Sequence, residues 1–154
     1  MKKVIFTSSS GGHLSELLKL EPLFSEYEYL IVTEKTDVTE KLKGKYNVNF
    51  FKYGPNKNII KYFWAIIYNI YICIKTIIKF KPNTIVTTGA QVGGIMCFFG
   101  KIFGKKIIYI ESLAKVDSLS KTGKNVYYFA DKFYVQWENL CNKYKKAEYI
   151  GRLM

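Results

Sequence analysis

The chain has 154 residues, enough for one domain with a real core. Its 24 Lys+Arg against 12 Asp+Glu give a formal charge of +12 and point to an anionic partner. Only one of the basic residues, Arg152, is an arginine, which argues against base-specific nucleic-acid readout and for diffuse attraction to phosphates or lipid headgroups. The scattered thiols Cys73, Cys97 and Cys141 form no CxxC or Cys/His cluster. They argue against a metal site and fit a reducing cytoplasm. The first dozen residues lack the hydrophobic stretch and cleavage site of a signal peptide, so a cytoplasmic location is expected. Thirteen tyrosines and eleven phenylalanines among the lysines suit a membrane–water interface; an AT-rich coding bias explains them equally well.

Along the chain, strand and helix signals alternate. Strands are predicted at 2–7, 28–33, 48–53, 83–88, 106–111 and 132–136, several of them β-branched runs suited to a parallel sheet buried on both faces. Helices are predicted at 13–25, 37–44, 57–80, 92–103, 118–130 and 137–145. This order predicts one α/β domain over 1–154 with a doubly wound, mostly parallel, Rossmann-like sheet. Ligands of such sheets sit at the carboxyl ends of the strands.

The first strand ends in Ser8-Ser9-Ser10-Gly11-Gly12-His13, just before a helix. Such a loop brings bare backbone N–H groups near a ligand, and the helix behind it carries about half a positive charge. It is read either as a tight turn or as an anion site, and His13, the only histidine, favours the site. A second glycine loop, Gly89-Ala90-Gln91-Val92-Gly93-Gly94, follows the fourth strand. Its glycines serve either close helix–sheet packing or approach by a ligand. Glu111, ending the fifth strand, is a candidate general base, or else a residue that holds a ligand's hydroxyls or caps a loop.

Residues 59–80 form the most apolar helix, with Lys61, Tyr68, Lys75 and Lys79 on one narrow stripe. The uncharged run from Tyr62 to Ile74 falls short of the roughly 20 residues that span a bilayer. Peripheral contact through Phe63, Trp64, Ile67 and Tyr71 is one reading; a buried helix with a wet edge and a protein interface are the others.

The Ser-Ser-Gly-Gly-His-Leu, Thr-Thr-Gly-Ala-Gln-Val-Gly-Gly and Ile-Ile-Tyr-Ile-Glu-Ser segments, in that order, resemble the N-terminal half of a GT-B glycosyltransferase. The resemblance is strongest to the acceptor-side subunits of split glycosyltransferases. That family includes the membrane-anchoring partner of the dolichol-linked UDP-N-acetylglucosamine transferase and bacterial capsule and exopolysaccharide subunits, with MurG as a single-chain relative. It implies a half-site subunit that binds a polyprenyl-diphosphate-linked sugar through Ser9, Ser10, Gly11, Gly12 and His13. A second loop follows at Gly89, Gln91, Gly93 and Gly94, with His13 and Glu111 as catalytic candidates. A donor-binding, UDP-sugar-dependent partner completes the enzyme at the inner face of the cell membrane, docked through Ile150, Arg152, Leu153 and Met154, with Arg152 pairing an acid there; the alternative is that Ile150, Leu153 and Met154 are anchored in this domain's own sheet. No cofactor or metal is expected in this half. The chain departs from the family in beginning directly with a strand, without the N-terminal membrane anchor of the eukaryotic subunit. The alternatives are a stand-alone nucleotide-binding Rossmann enzyme and a peripheral membrane scaffold. The former would use Glu34 at the end of the second strand but lacks the GxGxxG spacing.

Overall fold

A computed structural model describes residues 1–52 and 59–153. Seven parallel strands form one sheet: β1 (Lys3–Thr7), β2 (Glu28–Glu34), β3 (Val48–Phe51), β4 (Thr84–Thr87), β5 (Lys106–Ile110), β6 (Lys132–Val135) and β7 (Ala147–Tyr149). The spatial order is β3-β2-β1-β4-β5-β6-β7. The sheet grows one way from β1 to β3 and the other way from β4 to β7, so the direction reverses between β1 and β4. Both faces are covered, which is why the strands read as apolar runs rather than alternating ones. In β1, Val4 and Phe6 pack with Leu14, Leu17 and Phe24 on one face, while Ile5 joins Cys73, Ile77, Val92 and Met96 on the other.

The first face carries α1 (Gly12–Leu18), a 3-10 turn at Glu21–Glu26, and α2 (Asp37–Glu40) with its own 3-10 extension. The helix expected over 13–25 is therefore shorter: it stops at Leu18, and Pro22 then opens the 3-10 turn. The second face carries α3 (Ile59–Phe80), α4 (Ala90–Ile102), α5 (Lys121–Tyr127) and α6 (Asn139–Lys143). The first residues of the helix expected over 57–80, and the last of the strand expected over 48–53, lie outside the described residues.

By length and composition alone, Tyr62–Phe80 is long and apolar enough to cross a membrane, although its uncharged run is shorter. In the fold α3 lies along the sheet. Ala65, Asn69, Cys73, Thr76 and Ile77 form its buried stripe. Asn69 Oδ1 accepts from Lys52 N (2.7 Å), its Nδ2 donates to Lys52 O (2.9 Å), and Thr76 Oγ1 accepts from Asn49 Nδ2 (2.9 Å). These bonds fix which side of the helix faces in, and burial pushes the Cys73 thiol up to about 12. The strand β7 was not expected. It is three residues long with Glu148 at its centre, so the hydrophobic pattern is silent there; pairing with β6 creates it.

Candidate functional site

The reversal between β1 and β4 opens a crevice at their carboxyl ends, and both glycine loops fall there. Gly11 (φ 87°, ψ −144°) and Gly89 (φ 101°, ψ −153°) adopt nearly the same conformation, one that only glycine takes without strain. Each caps a helix, α1 and α4 respectively, with no side-chain capping bond. The first-turn N–H groups of α1, and those of Ala90 and Gln91 in α4, therefore lack intrahelical acceptors at this edge, while Val92 N is taken by Ser9 Oγ. A Cβ at Gly11 or Gly12 would meet nothing within 4 Å, whereas one at Gly89 would lie 2.6 Å from the Tyr109 hydroxyl. Ala90, next to Gly89, also has positive φ (61°), so the second loop is held under strain.

His13 joins the two loops. Its Nδ1 lies 2.8 Å from Thr88 O, and Thr88 Oγ1 donates to His13 O at 2.6 Å. A carbonyl only accepts, so Nδ1 carries the hydrogen in this arrangement. Nε2 is then the atom left to receive a proton, or, once protonated, to donate to an anion.

The serines expected to bind an anion are committed elsewhere. Ser9 Oγ accepts from Val92 N (3.2 Å), pinning the start of α4. Ser10 donates through N (3.1 Å) and Oγ (3.0 Å) to Glu34 Oε2. Ser9 and Ser10 thus shape the first loop. Glu34, which a nucleotide ribose would require, is occupied in holding the loop. In the second loop, Gln91 Nε2 donates to Tyr62 OH (2.9 Å). A Cβ at Gly93 would collide with the Thr87 hydroxyl, and one at Gly94 would press on Thr122. Gly93 therefore serves the packing of α4 on the sheet, Gly94 that of α4 on α5, and Gln91 joins α4 to α3.

Glu111 is not placed to act as a general base. It is fully buried, and its carboxylate accepts from Ser112 N (2.9 Å), Ser120 N (2.9 Å) and Ser120 Oγ (3.1 Å). A Cβ at Gly123 would run into it. It fastens the loop between β5 and α5. Burial pushes its pKa above the ordinary value of 4.5 against the pull of those hydrogen bonds.

Two residues that sequence reasoning passed over, Glu16 and Gln136, tie α1 to the far strands. Glu16 Oε1 accepts from Ser112 Oγ (2.8 Å) and Oε2 from Gln136 Nε2 (2.9 Å). Leu153 N donates to Gln136 Oε1 (2.7 Å), and the Arg152 guanidinium stacks over Trp137 at 4.1 Å. Arg152, expected to pair with an acid on a partner, thus rests on its own domain, as does the Leu153 backbone. Ile150 remains 45% exposed, and Met154 lies outside the described residues. The residues expected at a membrane do face outward: Phe63 is 60% exposed, Trp64 65%, Ile67 42% and Tyr71 60%. They extend along α3 beside Gln91 and the second loop.

The profile of the family described as "Oligosaccharide biosynthesis protein Alg14 like" matches residues 4–153. The UDP-N-acetylglucosamine transferase subunit alg14 of Schizosaccharomyces pombe is 32% identical over 175 residues, covering 97% of this chain and 82% of its own length. The human subunit of the same description is 23% identical, covering 98% and 82%. Among solved structures, MurG of Acinetobacter baumannii superposes with a TM-score of 0.74 at 14% identity, covering 90% of this chain and 43% of MurG. UDP-N-acetylglucosamine 2-epimerase of Rickettsia bellii gives 0.74 at 15% identity, covering 100% and 46%. At these identities the likeness is one of fold, that of the N-terminal domain of GT-B glycosyltransferases, and the chain spans less than half of either solved chain. The profile match and the fission-yeast relative establish that the chain belongs to the Alg14 family of oligosaccharide biosynthesis proteins.

Proposed function

We propose that this chain is the acceptor-side subunit of a two-component glycosyltransferase, working as a single domain. It binds a polyprenyl-diphosphate-linked sugar in the crevice between the two glycine loops. A donor-binding, UDP-sugar-dependent partner subunit supplies the other half of the active site. The observation that carries this reading is the pairing of Gly11 and Gly89, which open helices α1 and α4 on either side of the sheet reversal with His13 locked between them. Two helix N-termini converging on one crevice suit a guest with two phosphate groups. The His13 Nε2 adds a third donor when protonated.

The greasy remainder of such an acceptor calls for a membrane surface. The outward face of α3 supplies one, with aromatic and aliphatic side chains at the end near the crevice and Lys75 and Lys79 at the other. We place the protein peripherally on the cytoplasmic face of the cell membrane, in capsular or exopolysaccharide biosynthesis. The test is sugar transfer by the chain co-expressed with its partner, across a panel of UDP-sugars and lipid-linked acceptors. Transfer that requires both chains and fails on acceptors lacking the diphosphate supports the proposal; equal use of acceptors with and without it overturns it.

A further inference from the structure

Gln136, at the carboxyl end of β6, is 1% exposed, and its amide is shared by three separate segments of the chain. Its Nε2 donates to Glu16 Oε2 of α1 (2.9 Å) and to the Glu111 backbone carbonyl (3.0 Å), while its Oε1 accepts from Leu153 N (2.7 Å). Only one orientation of the amide satisfies a donor on one side and two acceptors on the other, so the geometry is self-consistent. Glu16 sits three residues after His13 on the same short helix and is further held by Ser112 Oγ and Leu113 N. His13 in turn grips Thr88 through two bonds. An unbroken run of hydrogen bonds and one helical turn therefore leads from the C-terminal segment to the imidazole.

We propose that Gln136 is a positioning residue that makes the C-terminal segment part of the support of the His13 site, so that whatever moves residues 150–153 resets the imidazole at the crevice. A buried polar group shared this way holds its partners together or leaves them unsatisfied; it has no cheap intermediate state. By reciprocity, a ligand that fixes His13 also favours the seated form of the segment. The link to acceptor binding rests on the proposed function above; the link between the segment and His13 does not.

The sequence holds a single histidine, so one set of imidazole NMR signals reports on the site without ambiguity. Leu153→Pro deletes the N–H that Gln136 accepts, and Leu153→Ala keeps it. In the purified chain, Leu153→Pro and Gln136→Leu should both move the His13 signals by more than a linewidth, while Leu153→Ala leaves them in place. With the partner present, Gln136→Leu should raise acceptor KM several-fold with little change in kcat. If Gln136→Leu does not fold by circular dichroism, Leu153→Pro, in the surface segment, decides alone. Signals unmoved in folded Leu153→Pro, or moved equally by Leu153→Ala, overturn the proposal. If the transferase reading itself is wrong, the wild-type pair transfers nothing while the His13 shifts persist, so the two failures are told apart.

Discussion

Individual residues at the crevice divide into those that hold the loops and those that face outward. Gly12 and Gly93 make the contrast. Gly93→Ala forces a methyl into Thr87 and should cost about 1–3 kcal/mol, read as a lower melting temperature. Gly12→Ala meets nothing within 4 Å, so it should leave the melting temperature near wild type while weakening acceptor use. Equal destabilisation by both would remove the distinction. Glu111 belongs with the holders. Glu111→Gln turns an amide toward either the Ser112 or the Ser120 N–H and should cost about 1–3 kcal/mol. Its pH dependence has a definite sign. The folded-state pKa is raised, so the folded form holds this proton more tightly than the unfolded chain does. The associated stability is complete below the ordinary carboxylate value and is lost as pH climbs through the raised one. The gap in melting temperature between wild type and Glu111→Gln should therefore narrow as pH rises; a widening gap contradicts the account. The loop-capping role of Glu111 was one of the readings its place at the end of β5 allowed, but the long-range holders were not legible in the sequence. Glu16 and Gln136 are 120 positions apart, and Ser10 and Glu34 are 24 apart; their polarity acquires meaning only when the strand ends converge.

At the scale of elements, the sequence was most legible where a strand is buried on both sides. The runs at β1, β2, β4 and β5 need no partner to be recognised, and the two glycine loops mark where the helices begin. The pattern failed where tertiary contacts override it. Three-residue β7 carries a glutamate and exists through its pairing with β6, and α1 ends early ahead of Pro22. Helix α3 is the intermediate case: its apolarity is plain from the sequence, but which side faces out depends on Asn69 and Thr76 reaching β3 and the residue after it. With that orientation, Phe63→Ser combined with Trp64→Ser should weaken flotation with anionic vesicles. High salt should weaken it too, since lysines near such a surface contribute about 1 kcal/mol each. Binding that is absent, or equal on neutral vesicles, would assign the outward face of α3 to a protein partner.

For the whole molecule, the sheet reversal and the two glycine-capped helices make one crevice in a chain that spans less than half of its solved structural neighbours. A crevice with fixed amides and one imidazole can hold an anionic acceptor, and on the proposed function a partner chain supplies the donor side. Activity should therefore depend on a second chain, and His13→Ala in the assembled pair should raise acceptor KM about tenfold or more, equivalent to about 1.4 kcal/mol of lost binding, with the fold intact. The most direct measurement is sugar transfer to a polyprenyl-diphosphate acceptor by the chain alone, by the pair, and by the pair carrying His13→Ala. The account predicts no turnover alone, turnover by the pair, and weakened acceptor saturation in the variant. Robust turnover by the isolated chain, or acceptor kinetics indifferent to His13, would contradict it.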